Sequence, residues 1–299
     1  MFIGIEGSEG WRRVTPVDKG WSADRKFRVE TQDGAQLLLR LSDGERFEQK
    51  RREFEMIRGF SATGVPMSMP LAFGRCEGGR AYMLLTYIEG EDLETVLPRL
   101  SEAKQYDLGR AAGDMLKKLH GLPLSAADRP AATKREKKLA QLSRYEACDV
   151  RIPGDEPLIR FVRENIGCIW QEAPVYLHGD FHPGNLIYRP DGRLGVIDFN
   201  RWEVGDPYEE FYKLQSFARE ISVPYCVGQI LAYFSDHVPQ AFWRAQAVYV
   251  AHAALFSILW AKPFGQRDMD GMVRRCRLAM DDYDGFATLV PKWFPSYKT

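Results

Sequence analysis

The chain has 299 residues, of which 45% are hydrophobic and 27% are charged, a composition typical of a folded globular protein with one large domain or two lobes. Its 41 Lys and Arg residues balance its 41 Asp and Glu residues, so no net charge favours nucleic acid or a membrane surface as a partner. The five scattered cysteines lack a CxxC pair and favour the reducing cytoplasm over a disulfide framework or a zinc site. We expect neither a signal peptide nor an apolar run of membrane-spanning length.

The first predicted strands cover residues 11–17 and 27–31 and flank a segment that turns at Gly20. Backbone amides of a glycine turn can approach a phosphate group, and Ser22 adds a hydroxyl donor. A single glycine is equally typical of a plain hairpin turn, so both interpretations stay open at this point.

The next predicted strand, over residues 36–42, is rich in aliphatic side chains and carries Arg40. Residues 45–60 then repeat apolar side chains at intervals of three and four, which predicts a helix with Glu53 near its middle. Both charged residues have a simpler alternative: Arg40 as a surface charge at a strand edge, and Glu53 as a solvated helix charge.

Two further strands are predicted over residues 70–74 and 80–87, and the second runs into a connecting segment. Ser101 is expected to start a helix that ends at His120, where a cation suits the helix C-terminus without any functional role. Most of the remaining C-terminal residues are predicted to be helical, over residues 124–172, 207–221, 226–234, 239–262 and 267–287.

The stretch over residues 175–199 contains the main candidate functional residues of the chain. Its predicted strands cover residues 175–177, 185–188 and 194–199, and the last two are joined by an Arg-Pro-Asp-Gly turn. The loop carries Asp180, and the hairpin folds Asp198 back beside Asn185. Carboxylate and amide oxygens suit a hard cation such as Mg²⁺. The alternative is a loop whose carboxylates only cap turns.

The order of these residues is also the order used by kinases: His178-Gly-Asp180, then Asn185, then Asp198-Phe-Asn200. In this form, with His-Gly-Asp, the chain resembles the aminoglycoside phosphotransferase family. The resemblance implies an α+β, bilobal, protein-kinase-like fold. It implies a small antiparallel-sheet N-terminal lobe for nucleotide binding with the hinge over residues 1–88, and a mostly helical catalytic and acceptor-binding lobe over residues 89–299.

The resemblance also implies roles for the loop residues. Asp180 would be the catalytic residue that orients the attacking hydroxyl and takes its proton, while Asn185 and Asp198 would hold Mg²⁺. His182 is interpreted as shaping the loop rather than as a base. Asp206 resembles the acid that anchors the catalytic loop by hydrogen bonds, and we rank it as structural.

A nucleotide site is implied in the N-terminal lobe, with ATP or GTP as the phosphoryl donor. The implied nucleotide-binding residues are Gly20, Ser22, Arg40, Glu53, Thr86 and Ile88. Gly20 and Ser22 belong to a loop that covers the nucleotide, and Arg40 stands where the family normally has a lysine. Glu53 is expected to pair with Arg40. The Thr86 carbonyl and the Ile88 amide are expected to bind the base.

The acceptor is expected to be a small molecule, because only seven residues separate Asp198 from Asp206, too few for the peptide platform of a protein kinase. Some acids of the C-terminal half would face the acceptor and attract a cation. The candidates are Glu209, Glu210, Asp236, Asp268, Asp270, Asp281, Asp282 and Asp284.

The resemblance therefore implies a small-molecule O-phosphotransferase, with an aminoglycoside as the first choice of acceptor and antibiotic resistance as a consequence. A macrolide, or a metabolite such as choline, homoserine or a sugar, is the alternative acceptor. A nucleotide-binding sensor without turnover is a third hypothesis, motivated by Arg40 and Asn200. We expect a monomer or weak dimer.

Overall fold

The computed structural model describes residues 2–17 and 24–294, so Gly20 and Ser22 lie outside the described residues. The chain divides into two compact units, Met1–Leu93 with Asn185–Trp202, and Glu94–Gly184 with Glu203–Thr299. An antiparallel sheet makes up much of the first unit and helices make up most of the second, which confirms the predicted α+β class.

The strands are defined here in chain order. Within the described residues they are β1 (Trp11–Val17), β2 (Arg25–Thr31), β3 (Gln36–Ser42), β4 (Pro70–Arg75), β5 (Ala81–Thr86), β6 (Glu91–Asp92), β7 (Val175–Leu177), β8 (Leu186–Tyr188), β9 (Leu194–Val196) and β10 (Glu203–Gly205). The α-helices of the same residues are α1 (Phe47–Ser61), α2 (Leu93–Val96), α3 (Glu102–His120), α4 (Arg135–Glu146), α5 (Glu156–Asn165), α6 (Val223–Tyr233), α7 (Gln240–Ala261) and α8 (Gln266–Asp282).

The main sheet of the first unit has the strand order β1-β2-β3-β5-β4 and is antiparallel throughout. Alternate residues of the central strands point into the core, where Phe27, Val29, Leu39 and Leu41 are buried. The opposite face of β2 therefore presents its polar residues, and Lys26 lies opposite Arg40 of β3 in the register. This pairing brings two cations to one region of the sheet.

A second, smaller sheet contains β6, β8 and β9. Met67 pairs with Val196, and the Val196 amide donates a hydrogen bond to the Pro66 carbonyl at 2.8 Å, so the β8–β9 hairpin is joined to the segment that follows α1. These bonds explain why residues 185–202 group with the first unit. The resemblance implies one lobe over residues 89–299, whereas the hairpin with Asn185 and Asp198 groups with the first compact unit.

The second unit is built around the close packing of α3 against α6. A Cβ atom on Gly109 of α3 would lie 2.2 Å from the Tyr225 carbonyl oxygen, so only glycine allows this approach. Ser101 caps α3 as predicted, because its side chain accepts a hydrogen bond from the Lys104 amide.

The helix predicted over residues 207–221 is wrong as one continuous α-helix. A 3₁₀-helix covers Pro207–Phe211, and a π-helix covers Leu214–Ala218, with the Arg219 amide donating to the Leu214 carbonyl at 2.8 Å. A π-helix is rare and often marks a functional site, because its wider turn re-aims side chains. Here the change of helix type follows directly after Lys213.

Helix α7 contradicts the expectation that no apolar run is long enough to span a membrane. The segment Gln240–Phe264 is long and apolar enough to cross a membrane, judged by length and composition alone. Of its most apolar 18-residue stretch, 50% is buried within the protein. Tyr249 and Leu255 are almost completely buried in the second unit. The same features describe a core helix of a helical unit, and α7 packs against α4, α5 and α8 in that role.

Candidate active site

The loop that carries Asp180 is held by a buried carboxylate of its own unit. Gly179 has a φ of 80°, a conformation that favours glycine. Its amide donates to Glu210 Oε2 at 3.1 Å, and the Phe181 amide donates to Glu210 Oε1 at 3.1 Å. Burial alone would raise the pKa of Glu210, but the nearby His120 and these contacts lower it. An ionised Glu210 thus fixes the backbone on both sides of Asp180.

Asp206 does not have the anchoring role expected from the sequence. Its carboxylate accepts hydrogen bonds from the Trp170 amide at 2.6 Å, the Tyr208 amide at 3.0 Å and the Tyr249 hydroxyl at 2.8 Å, none of them in the loop over residues 178–184. Burial raises its pKa despite these donors. Asp206 is structural, as predicted, but it organises the start of the 3₁₀-helix, and the loop is anchored by Glu210 instead.

Asp180 forms a close ion pair with a lysine that the sequence analysis missed. Lys213 Nζ lies 2.5 Å from Asp180 Oδ1, and the Lys213 side chain is only 4% exposed. Burial alone would raise the pKa of Asp180, but hydrogen bonding to His182 and the charge of Lys213 hold the pKa well below its usual range. The carboxylate is therefore ionised and ready to accept a hydrogen bond from a hydroxyl.

His182 shapes the loop, in agreement with the sequence interpretation. Its Nδ1 accepts a hydrogen bond from the Gly184 amide at 3.1 Å, and its Nε2 lies 3.7 Å from Asp180 Oδ1. The imidazole stacks on Phe217 with ring centroids 4.9 Å apart, and the Arg275 guanidinium lies 5.0 Å from the Phe217 centroid. The π-helix thus supplies an aromatic support for the loop.

In the first unit, Asp198 ends the β8–β9 hairpin in a strained conformation. Its φ is 64°, in the left-handed region that non-glycine residues rarely adopt. The Ile197 amide donates to the Asn185 carbonyl at 3.1 Å, so backbone pairing holds both predicted metal ligands on one hairpin. Asp198 Oδ2 lies 3.4 Å from Lys26 Nζ, whereas Oδ1 is buried and accepts no hydrogen bond from the described residues.

The side-chain oxygen atoms of Asn185 and Asp198 fit the expected Mg²⁺. Asn185 offers an amide oxygen and Asp198 a carboxylate, the oxygen ligands that this ion prefers. A buried carboxylate oxygen without a partner is unfavourable unless a cation or a donor reaches it, and Oδ1 of Asp198 is such an atom. The described residues contain no group of three or more His, Cys, Asp or Glu side chains that could hold a metal ion.

Arg40 is part of a buried network of four charged residues. Its guanidinium donates to Glu53 at 2.5 Å, which confirms the predicted pairing, and to Asp24 at 2.7 Å. Lys50 Nζ donates to the Asp24 carboxylate at 2.6 Å and to the Glu53 carboxylate at 2.9 Å. Burial opposes all of these charges, yet Glu53 and Asp24 raise the pKa of Arg40, and Arg40 and Lys50 lower the pKa of Asp24. Asp24 and Lys50 were not anticipated from the sequence.

Thr86 and Ile88 both line a cavity of about 540 Å³ in the first unit. Thr86 Oγ1 accepts a hydrogen bond from the Met69 amide at 2.8 Å, and the Thr86 amide donates to the Met69 carbonyl at 2.9 Å. Arg40 and Asp198 are not among the residues that line it. The structure therefore brings the two predicted hinge residues together but does not place them in one cavity with the charged network.

Three of the eight acids proposed to face a cationic acceptor are buried, and several others pair at the surface. Glu209 pairs with Lys138, Asp282 with Arg219 and Asp236 with Arg110. Glu210 holds the loop, as described above. The other paired members of the set are Asp270, which binds Gln266, and Asp281 and Asp284, which lie near Lys292. The expectation that these acids form an attractive surface is wrong for the buried members Glu209, Glu210 and Asp282.

Comparison with known proteins found a matching family profile and two relatives of similar sequence. A family profile described as the phosphotransferase enzyme family matches residues 13–247. The chain is 25% identical over 211 residues to an aminoglycoside 3'-phosphotransferase of Niallia circulans, covering 67% of this chain and 77% of that protein. It is 26% identical over 172 residues to the acyl-CoA dehydrogenase family member 10 of Mus musculus, a match that spans 53% of this chain and only 16% of the mouse protein.

Solved structures show the same fold. The apo form of a thermostable mutant of aminoglycoside phosphotransferase APH(4)-Ia has a TM-score of 0.70 at 16% identity, with 95% of this chain and 98% of that chain covered. A choline/ethanolamine kinase family protein from Mesorhizobium loti has a TM-score of 0.66 at 18% identity, with 93% and 91% covered. The kinase-like fold predicted from the sequence is confirmed.

Proposed function

Because this chain belongs to the phosphotransferase enzyme family, we propose that it transfers the γ-phosphoryl group of a nucleoside triphosphate to a hydroxyl group of a small molecule. The observation that supports the proposal is the setting of Asp180. Its ionised carboxylate pairs with Lys213, and the backbone amides before and after it donate to Glu210. A carboxylate prepared in this way suits a kinase, which relies on alignment and charge more than on covalent chemistry.

The proposed reaction forms a bond between the acceptor oxygen and the γ-phosphorus and breaks the bond to the β–γ bridging oxygen. The nucleoside diphosphate leaves with the electron pair of that bond. Asp180 accepts the hydrogen bond of the attacking hydroxyl and takes its proton late in the step. A low pKa does not conflict with this role, because the proton becomes acidic as the new bond forms.

Asn185 and Asp198 are proposed as the ligands of Mg²⁺. When bound, this ion supplies neutralisation of the phosphate charge. The hairpin holds both side chains by backbone pairing, and the buried, unpaired Oδ1 of Asp198 favours a cation at that point.

The nucleotide is proposed to bind to the first unit. Arg40 and Glu53 supply a fixed ion pair there, and Asp198 is close enough to Arg40 to raise the Arg40 pKa, which ties the network electrostatically to the proposed metal ligand. Thr86 and Ile88 are proposed to contact the base. Gly20 and Ser22, outside the described residues, are proposed to cover the phosphates. ATP and GTP are both candidate donors.

An aminoglycoside is the first proposed acceptor. Support comes from the solved neighbours, because two APH(4)-Ia mutants are described as ternary complexes with hygromycin B, and another neighbour as a complex with gentamicin. We propose that the protein acts in the cytoplasm, where phosphorylation of such an acceptor would make it a determinant of antibiotic resistance.

A second candidate is a metabolite alcohol with little positive charge, such as homoserine or a sugar. The observation that favours it is the pairing of the acids in the second unit, since Glu209 and Asp282 already neutralise Lys138 and Arg219. A polycationic acceptor would have to rely on other, more exposed acids.

A panel assay tests both candidates. Release of ADP or GDP would be measured with pooled aminoglycosides, macrolides and small metabolite alcohols as acceptors. Acceptor-dependent release by the wild type, and its loss in Asp180→Ala with nucleotide binding intact, is the expected result. Turnover of Asp180→Ala at the wild-type rate would overturn the assignment of Asp180. Nucleotide binding without stimulation by any acceptor would instead support a sensor.

A further inference from the structure

Lys26 is the cation closest to the proposed metal ligand in the described part of the first unit. It lies at the start of β2, and its Nζ is 3.4 Å from Asp198 Oδ2. The side chain is 13% exposed, so it is neither a buried structural charge nor a freely solvated one. Its neighbour across the sheet is Arg40 of β3.

Arg40 is poorly placed to bind phosphate itself. One terminal nitrogen is bound to Glu53 and the other to Asp24, and only Nε lacks a partner among the described residues. With Lys50, the network contains two cations and two carboxylates, so its charge is balanced. Moving Arg40 towards a phosphate would remove one of the two buried cations that Asp24 and Glu53 share and leave Lys50 to pair with both, which is unfavourable.

Lys26 differs from Arg40 in its ionic contacts and in the use of its hydrogen-bond donors. Its single ionic contact among the described residues, at 3.4 Å, is longer than the 2.7–2.9 Å typical of a charge-assisted hydrogen bond. The ammonium has three donors, so at least two have no partner within residues 2–17 and 24–294 and can bind another anion. A divalent cation on Asp198 would share the charge of that carboxylate and repel the ammonium, which then requires a new anionic partner.

We propose that Lys26, rather than Arg40, is the residue that contacts the nucleotide phosphates, while Arg40 holds the network behind it. This inference rests on the proposed function in assuming a nucleotide ligand, and it adds a catalytic residue on a different strand. A lysine ammonium is a compact point charge suited to phosphate, whereas the Arg40 fork is occupied by two carboxylates.

Equilibrium binding to Lys26→Met tests the assignment without any acceptor. We would measure the dissociation constants of ATP and GTP with Mg²⁺, and of the parent nucleosides by competition with a fluorescent nucleotide. We expect triphosphate binding to weaken by about 10- to 100-fold, the effect of losing a charged hydrogen bond. Nucleoside binding should not change, and Lys26→Arg should recover part of the loss.

The matched control is Arg28→Met, because Arg28 lies two residues further along the same face of β2 and its guanidinium is 3.3 Å from the Glu89 carboxylate. This variant removes a more exposed cation of the same strand, whose ionic partner is Glu89 and not Asp198. It should bind triphosphate like the wild type. The apoprotein Tm of both variants shows whether Lys26→Met is folded.

Lys26→Met with wild-type triphosphate affinity would overturn the inference. An equal loss of triphosphate and nucleoside affinity would also overturn it, because the effect would then not come from the phosphates. Failure of the proposed function has a different signature: the wild type would bind triphosphate and show the Lys26 effect, but no acceptor in the panel would be phosphorylated.

Discussion

The ammonium of Lys213 lies 2.5 Å from Oδ1 of Asp180, within one compact unit and next to a π-helix. Burial alone would lower the pKa of Lys213, but Tyr212 and Asp180 raise it, so the lysine stays charged. A permanent cation at this position does two things for Asp180: it keeps the carboxylate ionised and it restricts the rotation of the side chain. In the proposed reaction, both effects would prepare the residue for an incoming hydroxyl.

We therefore predict that Lys213→Met lowers kcat by roughly 10- to 100-fold, as expected for the loss of a charged hydrogen bond. The pKa of Asp180 is lowered in the folded protein, so the wild-type carboxylate stays ionised in mildly acidic solution. Without Lys213 this pKa rises, and the acid limb of the kcat–pH profile should move to higher pH. Lys213→Arg should restore most of the profile.

Lys138→Met is the control for this experiment. Lys138 is also buried and also pairs with a carboxylate, that of Glu209, but it does not contact Asp180. Its removal should lower the free energy of unfolding without moving the acid limb. A wild-type pH profile for Lys213→Met would show that Lys213 has only a structural role.

Glu210→Ala is predicted to lower kcat by about 100-fold with a small effect on nucleotide binding, because loss of its carboxylate frees the amides of Gly179 and Phe181 and misplaces Asp180. Steady-state kinetics and nucleotide titration would measure the two effects. Glu209→Ala is the matched control, since the neighbouring carboxylate pairs with Lys138 instead. Equal losses of kcat in both variants would count against a specific role for Glu210.

Arg40→Met is predicted to reduce the free energy of unfolding by about 3–5 kcal/mol, because it leaves the buried Asp24 and Glu53 short of a cation. Urea unfolding measures this change. Arg58→Met is a suitable control on the same sheet-and-helix unit, since its ion pair with Glu55 is exposed. A loss no larger than that of the control would mean that Lys50 alone satisfies the network.

The same network predicts a pH dependence of stability. The folded-state pKa of Asp24 is lowered below its ordinary value of 3.8, so its contribution is fully present above that pH and is lost as the pH falls further. Asp24→Asn should therefore unfold with a flatter dependence on pH below about 4 than the wild type. Parallel acid-unfolding curves for the two proteins would contradict the assignment.

The local patterns of the sequence predicted much of this architecture. The strands of the first sheet, the Ser101 cap and the order of Asp180, Asn185 and Asp198 depend on neighbouring residues, and turn and periodicity rules describe such features well. The pairing of Arg40 with Glu53 followed from the resemblance and is present.

The partners that tune the site were not predictable in the same way. Lys213, Glu210 and Lys26 contact residues far along the chain, and no local pattern specifies such a contact. The one available signal was the charged group at residues 209–213 inside an otherwise apolar stretch, since buried charges require partners. The π-helix was missed because its sequence has the period of an ordinary helix.

Asp198→Asn is predicted to remove the stabilisation by Mg²⁺ and triphosphate, because Oδ1 of Asp198 is buried without a hydrogen-bond donor among the described residues. With Mg²⁺ and triphosphate at 100 times the dissociation constant, binding should stabilise the wild type by about 2.7 kcal/mol and raise its Tm. Chelation of the metal should remove most of that increase. Asp198→Asn should show little increase in Tm with or without Mg²⁺. Asp33→Asn is the control, since Asp33 belongs to the same unit but lies in an exposed turn, where it accepts a hydrogen bond from the Ala35 amide. A Mg²⁺-dependent Tm increase in Asp198→Asn equal to that of Asp33→Asn would remove Asp198 from the metal site.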